Sequence, residues 1–331
     1  MKTWHYIISE KCNMKCTYCN VDVDNNIRLD KEFFLEFKKN IGNEPYIFSI
    51  FGGEPFLQLD MVKFIITELQ NDPNLLKIII TTNCTIFNDD VQFVINHPKT
   101  QVTISYDGLK QLDHRGNNKL YIKEYIEQGA STGHCMITGE DFNILDTDYI
   151  INLHLSIRDV NLTPDITIVR DIGSWNQKQV DNFKQAFKEY VNYIKDNELN
   201  NILNFSELPG LIKNYLNSLF EFHIKHNVQK DCGCGTEHFA ILPNQKILPC
   251  ERFDRDNETL SKIPNRDNIL NACNTCDIRN YCHKGCIYEQ LKNNAVIPEL
   301  CEIYKFIFKT LKILVKETGH KLLKLYTKEN L

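Results

Sequence analysis

The sequence lacks three features that would each assign the protein to a well-defined class. No apolar run approaches the ~20 residues that a membrane-spanning helix needs. The N-terminal residues Met1-Lys2-Thr3-Trp4-His5 have neither an apolar signal core nor a cleavage site. Positive charge is not in excess, because 38 Lys and Arg residues are set against 43 Asp and Glu residues, and a net charge of −5 does not indicate a bulk basic surface for nucleic acid. We therefore expect a cytoplasmic protein with no membrane or nucleic-acid partner.

Cysteine, in contrast, is abundant, with thirteen residues in a chain of 331. The 42% hydrophobic and 24% charged content is ordinary for a globular protein, and the length allows one large domain or two. Because nothing points to secretion, metal binding is a better explanation for the cysteines than disulfides. They are unevenly distributed: three lie at 12–19 and eight at 232–301. We assign the two between these groups, Cys84 and Cys135, to no metal.

The first cysteine group, Cys12-Asn13-Met14-Lys15-Cys16-Thr17-Tyr18-Cys19, directly follows the apolar run at residues 4–8. Thiolates select zinc, copper(I) or iron–sulfur clusters. Structural zinc takes four protein ligands, and no His or Cys follows Cys19 for dozens of residues. Three ligands on a compact loop leave one iron of a cubane open for a substrate or cofactor. The alternative is a loop of three reduced cysteines without a metal.

With an aromatic residue, Tyr18, before its last cysteine, this CxxxCxxC segment resembles that of the radical S-adenosylmethionine (SAM) superfamily. The resemblance implies a 4Fe–4S cluster held by Cys12, Cys16 and Cys19, whose free iron chelates SAM. It further implies reductive cleavage of SAM to a 5′-deoxyadenosyl radical, which removes a hydrogen atom from an unactivated C–H bond.

Apolar periodicity predicts strands that alternate with helices, which argues for a parallel sheet with helices outside it. Six such units fit a partial (β/α)6 barrel, and the resemblance implies the same α/β fold. The predicted strands are 4–9, 46–51, 77–81, 102–106, 135–138 and 160–169, the last broken by Pro164. The predicted helices are one capped by Asp30 and others near 61–69, 91–95, 120–126, 146–154 and 180–194.

Several polar motifs follow these strands, at the end where barrel enzymes carry functional loops. Gly52-Gly53-Glu54 resembles the superfamily motif that binds the SAM amino group, although such a tripeptide is also a common turn. Asn83 follows the third predicted strand and is expected near the SAM ribose or in a turn, with Cys84 replacing the usual glycine. By resemblance, Ser105 and Arg115 contact the SAM ribose or carboxylate. The alternative for Arg115 is a surface ion pair, and Asp107 is expected to shape the turn or touch substrate.

The C-terminal cysteines resemble the SPASM extension of radical SAM enzymes, which carries auxiliary iron–sulfur clusters. Their spacing is C-x-C, then Cys250, then C-x2-C-x5-C-x3-C and a final cysteine. By resemblance, a first auxiliary cluster takes Cys232, Cys234, Cys250 and Cys286, and a second takes Cys273, Cys276, Cys282 and Cys301. His238 is an alternative ligand if Cys232 and Cys234 cannot both reach the first cluster, and two zinc sites are the alternative to both clusters. A hairpin is predicted over 239–248, with Gln245 where the family usually has glycine.

Glu251 follows Cys250 directly, as a carboxylate does in sulfatase-maturing relatives, where it acts as a base. We expect the same role here, or else a solvent-exposed side chain beside Arg252. The predicted domains are a radical SAM barrel over 1–200, a helical connector over 201–230, a SPASM domain over 231–305 and a C-terminal helix over 306–331.

The resemblance implies oxidative modification of a peptide or protein, which gives a thioether, C–C or ether crosslink in a ribosomal peptide. The implied cofactors are three 4Fe–4S clusters and SAM. The implied partner is a one-electron donor of the flavodoxin or ferredoxin type. The alternatives are formylglycine formation in a sulfatase and a small-molecule dehydrogenase or cofactor-biosynthesis enzyme. Outside enzymes, the alternatives are an iron–sulfur electron carrier and a zinc scaffold.

Overall fold

The computed structural model describes residues 1–19, 21, 23, 27–171, 173–227, 232–254, 263, 265–319 and 321–330. The polar segment 22–26 follows the cysteine loop, and the sequence predicts a turn there, but it lies largely outside the described residues. The strands are β1 (Lys2–Ser9), β2 (Tyr46–Gly52), β3 (Leu75–Thr82), β4 (Thr100–Ser105), β5 (Thr132–Ile137), β6 (Thr163–Ile168), β7 (His238–Ile241) and β8 (Ile247–Leu248). The helices are α1 (Lys31–Lys39), α2 (Leu59–Leu69), α3 (Asp89–Asn96), α4 (Gln111–Arg115), α5 (Ile122–Glu127), α6 (Tyr149–Arg158), α7 (Gln177–Tyr193), α8 (Gly210–Lys225), α9 (Asp267–Leu270), α10 (Ile287–Asn293), α11 (Pro298–Glu317) and α12 (Lys321–Asn330).

The strands form one sheet in the order β6-β5-β4-β3-β2-β1-β7-β8. Neighbouring strands from β1 to β5 pair in parallel, and helices separate them along the chain. The predicted α/β class is therefore confirmed, and the strand–helix alternation through β6 is that of the predicted partial (β/α)6 barrel. Pro164 does not break β6, contrary to the prediction, because β6 is the last strand of the sheet and an edge strand tolerates a residue that donates no ladder hydrogen bond.

The predicted hairpin over 239–248 is confirmed, since β7 and β8 pair antiparallel. The sequence did not predict that β7 also pairs in parallel with β1, with Trp4 opposite Phe239 and Tyr6 opposite Ile241. The hairpin thereby extends the sheet on the far side of β1 from β2.

The chain divides into two compact units that are interleaved along the sequence. Unit 1 comprises residues 1–134, 159–162 and 233–263, and unit 2 comprises residues 135–158, 163–232 and 264–331. Because the units are interleaved, they do not test the predicted boundaries at residues 200, 230 and 305, which stay predictions. No helix in the described part of the chain is long and apolar enough to cross a membrane.

The core of unit 1 is aromatic where α1 packs on the sheet. Phe34 and Phe37 from α1 meet Tyr6 and Phe48 from the first two strands, with ring centroids 5.3–6.5 Å apart. Helix α1 begins where predicted, because the Asp30 carboxylate accepts a hydrogen bond from the backbone N–H of Phe33 at 2.6 Å. This packing fixes the strands whose C-terminal ends carry the polar motifs.

The core of unit 2 has a similar aromatic character. Phe142 packs against Trp175 and Phe183, and Phe183 stacks on Phe187 one turn along α7. The predicted C-terminal helix is observed as two helices, α11 and α12, and α11 begins at Pro298, a favoured first residue of a helix.

Candidate functional site

Four consecutive parallel strands of unit 1 bring the sequence motifs to one edge of the sheet. The cysteine loop follows β1, Gly53-Glu54 follows β2, Asn83 follows β3, and Ser105 is the last residue of β4. Because parallel neighbours end at the same edge, residues from distant parts of the sequence meet here, as predicted for the barrel loops.

Gly52 and Gly53 let the end of β2 approach the start of the cysteine loop. A Cβ atom on Gly52 would lie 2.2 Å from the carbonyl oxygen of Ser9, and one on Gly53 would lie 2.2 Å from that of Glu10. The backbone N–H of Gly53 donates to the Ser9 carbonyl at 3.0 Å, and that of Glu54 to the Lys11 carbonyl at 2.9 Å. Both glycines are thus required for contacts within the protein itself.

Glu54 is buried and joins the ends of β2 and β3. Its carboxylate accepts hydrogen bonds from the Thr82 hydroxyl at 2.8 Å and from the backbone N–H groups of Asn83 at 2.7 Å and Phe56 at 3.0 Å. Burial raises the pKa of Glu54 to about 7, and these hydrogen bonds and the charge of Arg115 offset that rise only in part. The side chain therefore holds the Asn83 loop in place, and its predicted contact with a SAM ammonium group stays a prediction.

Asn83 lies between its own loop and the cysteine loop. Its side-chain amide donates to the Asn13 side-chain oxygen at 2.9 Å and to the Cys12 sulfur at 3.7 Å. Its oxygen accepts from the Thr85 hydroxyl at 2.6 Å, which shows that Asn83 also shapes its turn. Cys84 adopts φ +50°, so the turn keeps the left-handed conformation that glycine favours.

A buried charged cluster surrounds Tyr18 and the loop after β4. The Asp107 carboxylate accepts from the Tyr18 hydroxyl at 2.6 Å and from Nε of Arg115 at 2.8 Å. His114 Nδ1 lies 3.6 Å from the same oxygen. Burial alone would raise the pKa of Asp107, but these hydrogen bonds and the Arg115 charge hold it below its ordinary value. Asp107 is therefore an ionised partner for Arg115.

Arg115 links this cluster to the cysteine loop. Its Nη1 lies 3.8 Å from the Cys16 sulfur, and its guanidinium carbon lies 5.4 Å from the centroid of the Tyr18 ring. Arg115 does form an ion pair, as its alternative interpretation held, but the pair is buried and does not lie at the surface. Ser105 is half-buried and lies opposite His134 of β5.

Sequence reasoning missed two members of this site. His114 was not assigned a role, and neither was Thr82, which was placed in the segment after the third predicted strand. Asp107 was assigned to a turn or a substrate contact, not to Arg115. The only local signal was that Asp107, His114 and Arg115 come soon after a strand. The sequence pattern does not specify burial, so it could not show that His114 and Arg115 both approach the same carboxylate oxygen of Asp107.

The cysteine loop fits a cluster with three thiolate ligands. The charges of Cys12, Cys16 and Cys19 affect one another, and two of the three sulfurs already accept hydrogen bonds from Asn83 and Arg115. Burial raises the pKa of Cys16 to about 11. Within the described residues, no three His, Cys, Asp or Glu side chains converge as ligands of a single metal ion. A cubane does not require this, because each cysteine binds a different iron.

The second set of C-terminal cysteines gathers in unit 2. One cavity is lined by all four cysteines of this set, Cys273, Cys276, Cys282 and Cys301, and also by Cys286, which is predicted to belong to the first set. Burial raises the pKa of Cys282 to about 12 and that of Cys301 to about 11, and the neighbouring thiols add to both shifts. Five thiols around one cavity include the four donors that a fully ligated cluster needs, and the structure does not by itself select which four.

The first C-terminal set stays a prediction, because Cys234 and Cys250 belong to unit 1 whereas Cys232 and Cys286 belong to unit 2.

In unit 1, the half-buried Glu251 accepts a hydrogen bond from the Cys250 thiol at 3.2 Å, so it is not simply a solvent-exposed side chain. His238 lies 3.4 Å from the ring of His5, ring nitrogen to ring nitrogen. Gln245 takes φ +67°, which preserves the hairpin turn without glycine.

Comparison with known proteins identifies the N-terminal region. Residues 6–127 match the family model described as the radical SAM superfamily. A GTP 3′,8-cyclase of Campylobacter jejuni subsp. doylei is 29% identical over 132 residues, covering 38% of this chain and 39% of that protein. An uncharacterized protein of Methanocaldococcus jannaschii is 28% identical over 108 residues, covering 31% and 37%. The chain spans well under half the length of these two curated relatives.

Solved structures resemble a larger part of the chain. The fold is similar to that of native anSMEcpe with bound AdoMet and Cp18Cys peptide, with a TM-score of 0.71 over 96% of this chain and 99% of that one, at 15% identity. It is also similar to Streptococcus suis SuiB bound to precursor peptide SuiA, with a TM-score of 0.62 over 88% of this chain and 73% of that one, at 17% identity. At these identities the likeness shows a shared fold.

Proposed function

We propose, from the match of residues 6–127 to the radical SAM family model, an enzyme that cleaves SAM reductively and uses the resulting radical to oxidise a peptide or protein. One observation carries the proposal. The cysteine loop, the Gly-Gly-Glu segment, Asn83 and the Asp107–Arg115 pair meet at one edge of a parallel sheet.

The family implies SAM and one 4Fe–4S cluster. Cys12, Cys16 and Cys19 would hold that cluster, which when bound would supply the electron for cleavage of SAM. The protein's own residues hold the loop in place. Asn83 and Arg115 donate to cysteine sulfurs, and such hydrogen bonds stabilise negative charge on the sulfur. We assign SAM contacts to Tyr18, Gly52, Gly53, Glu54, Asn83, Ser105 and Arg115.

We propose a peptide or protein as substrate because two proteins with this fold have been crystallised with peptides, a Cp18Cys peptide in anSMEcpe and the precursor SuiA in SuiB. The product we favour is a thioether, C–C or ether crosslink, with formylglycine formation as the alternative. Two auxiliary clusters at the C-terminal cysteine sets would accept the second electron. Glu251 is proposed as the base that removes a substrate proton.

A small-molecule reaction is the second candidate, since GTP 3′,8-cyclases of two organisms match 38–40% of this chain at 26–29% identity. A peptide-modifying enzyme forms product only with a peptide, whereas an enzyme of this second kind forms product from a nucleotide or another small molecule. Supplying GTP and a candidate peptide in parallel reactions separates the two.

The test begins with anaerobic reconstitution of the full chain and measurement of iron, sulfide and 5′-deoxyadenosine formed from SAM and dithionite. Three cubanes correspond to about twelve irons per chain. Cys16→Ser should remove about four irons and abolish 5′-deoxyadenosine formation. Cys135→Ala, at a buried cysteine assigned to no metal, should change neither. Zinc as the only metal, or normal SAM cleavage by Cys16→Ser, would show that the proposal is wrong.

We further propose a reducing compartment, the cytoplasm, because none of the thirteen cysteines, all within the described residues, is paired in a disulfide. A flavodoxin or ferredoxin is proposed as electron donor. Substituting either protein for dithionite in the 5′-deoxyadenosine measurement tests this directly.

A further inference from the structure

A second cavity of unit 2 lies at the end of β6 and has been given no role so far. Its volume is about 50 Å³, which is room for a small group such as a carboxylate, and it opens to solvent. It is lined by β6, α8, α11 and the Cys282-His283 segment. Arg170 follows β6 by two residues and lines this cavity.

Arg170 is partly buried and has no carboxylate partner among the described residues. Its Nε is inaccessible to solvent and lacks a hydrogen-bond acceptor, and its side chain makes no ion pair or hydrogen bond with any described residue. The groups that influence it are the phenols of Tyr304 and Tyr215 and the thiols of Cys286 and Cys232, and together they raise the pKa of Arg170 despite its burial. Because no described carboxylate pairs with Arg170, an anion that enters this cavity meets a guanidinium that is able to donate hydrogen bonds to it.

Two hydroxyl groups at the same cavity also lack partners. Tyr215 and Tyr304 are 9% and 5% exposed, and neither hydroxyl is hydrogen bonded within the part of the chain that the structure describes. A buried tyrosine hydroxyl usually finds a hydrogen-bond partner. Burial raises the pKa of Tyr304 to about 12, so its hydroxyl keeps the proton it could donate.

The chemistry of these groups selects the ligand. Arg170 supplies donors only, and the two phenolic hydroxyls can also donate, which suits an oxyanion. Asn214 and Thr167, which line the same cavity, can donate to an oxyanion as well. A single positive charge matches a carboxylate better than a phosphate dianion. Ile168, Leu211 and Phe308 form apolar walls that suit the methylene groups of an acidic side chain.

We propose that this cavity binds a carboxylate of the substrate, either an Asp or Glu side chain or the C-terminal carboxylate of a peptide. The inference rests on the proposed peptide substrate. It makes Arg170 a residue that determines specificity, with Tyr215 and Tyr304 as the accompanying donors.

The experiment measures binding to the anaerobically reconstituted full chain by calorimetry, without turnover. The probes are acetyl-Gly-Glu-Gly-amide, acetyl-Gly-Gln-Gly-amide and acetyl-Gly-Gln-Gly with a free carboxylate. We expect at least one carboxylate probe to bind about tenfold or more tightly than the neutral peptide, because a site built for a charged partner rejects the neutral analogue. The stronger of the two carboxylate probes identifies the source of the carboxylate.

Arg170→Gln should bring this ratio to about one, and Tyr304→Phe, which keeps the volume of the ring, should reduce it several-fold. Arg158→Gln, at a half-exposed arginine elsewhere in unit 2, removes the same charge and should leave the ratio unchanged.

Equal affinities for the three probes, no measurable binding at millimolar concentration, or a ratio that survives Arg170→Gln would overturn the proposal. A changed cluster reduction potential in Arg170→Gln with an unchanged ratio would show that Arg170 serves the cysteine thiolates instead. If the carboxylate preference holds while no 5′-deoxyadenosine forms from SAM, the proposed function fails and the carboxylate site stands.

Discussion

Each of the two units contains an arginine beside cysteines assigned to iron–sulfur clusters, but Arg115 is buried and paired whereas Arg170 is partly buried and unpaired. In unit 1, Arg115 donates to Asp107 at 2.8 Å and lies 3.8 Å from the Cys16 sulfur. In unit 2, Arg170 lies near Cys232 and Cys286, and no carboxylate among the described residues pairs with it.

The difference shows two ways in which a protein can use an arginine side chain. A guanidinium that is neutralised inside the fold can position its neighbours whether or not a ligand is present. A guanidinium without an internal partner makes the fold less stable and is satisfied only when an anion arrives. Arg115 is therefore part of the scaffold of its site, whereas Arg170 is available to a ligand.

The strongest test of this contrast removes the partner of Arg115. Asp107→Asn leaves Arg115 buried without a countercharge, and we expect the free energy of unfolding to fall by about 3–5 kcal/mol. Anaerobic denaturant unfolding measures the change. Asp113→Asn is the control, because Asp113 is exposed and its pair with Lys110 should contribute less than about 1 kcal/mol. Similar losses in both variants would contradict the scaffold role.

Glu54 makes the stability of the folded protein depend on pH, and the sign of that dependence follows from its raised pKa. Its pKa is about 7 in the folded protein against 4.5 as the ordinary value, so the folded state binds the extra proton. Its contribution to stability is present below about pH 4.5 and is lost as the pH rises through 7, by about 3 kcal/mol in total. We expect Glu54→Gln to flatten the decline in unfolding free energy between pH 5 and 8. An unchanged slope would show that the carboxylate stays ionised throughout this range.

Arg170→Met should raise the free energy of unfolding, whereas Asp107→Asn should lower it. Replacing a partly buried, unpaired charge by an apolar side chain of similar length should stabilise the ligand-free chain by about 1 kcal/mol or less. The same unfolding measurement, without a carboxylate present, checks the sign. Destabilisation would mean that Arg170 is neutralised within the fold, and the contrast with Arg115 would disappear.

The smallest expected change in unfolding free energy comes from removing single tyrosine hydroxyls, one from each arginine site. Tyr18→Phe removes a hydrogen bond to the Asp107 carboxylate and should cost about 1 kcal/mol or somewhat more. Tyr304→Phe removes a hydroxyl that is not hydrogen bonded in the described chain and should change the unfolding free energy by less than about 0.5 kcal/mol. Equal costs would indicate that the Tyr304 hydroxyl has a partner in the folded protein.

Local patterns were sufficient to predict most of the elements of this fold. The Asp30 cap and the apolar spacing that follows it specify α1, and the apolar runs specify the strands of the parallel sheet. The prediction failed at Pro164, where a local rule against proline was overridden by the position of β6 at the end of the sheet. An edge position is a property of the whole sheet and is not visible in a strand's own residues.

The sequence allowed us to predict which residue types form the site, but not which of them are hydrogen bonded to one another. The sequence placed Tyr18, Asn83 and Arg115 near a cofactor, but it could not show that Tyr18 bonds to Asp107, 89 residues away. Cys84 and Gln245 adopt positive φ although neither is glycine, so the loop geometry did not depend on the residue type that usually marks it. Long-range hydrogen bonds and the surrounding packing decide such details.

The pairing of β1 with β7 has a consequence for synthesis of the chain. The second strand, β2, is available to β1 early, but the other edge of β1 is completed only by residues 238–241, which leave the ribosome more than two hundred residues later. Until then, the unpaired backbone groups on that side of β1 remain a template for wrong strand addition. We therefore expect nascent chains stalled before residue 238 to depend on chaperones more than the finished protein does.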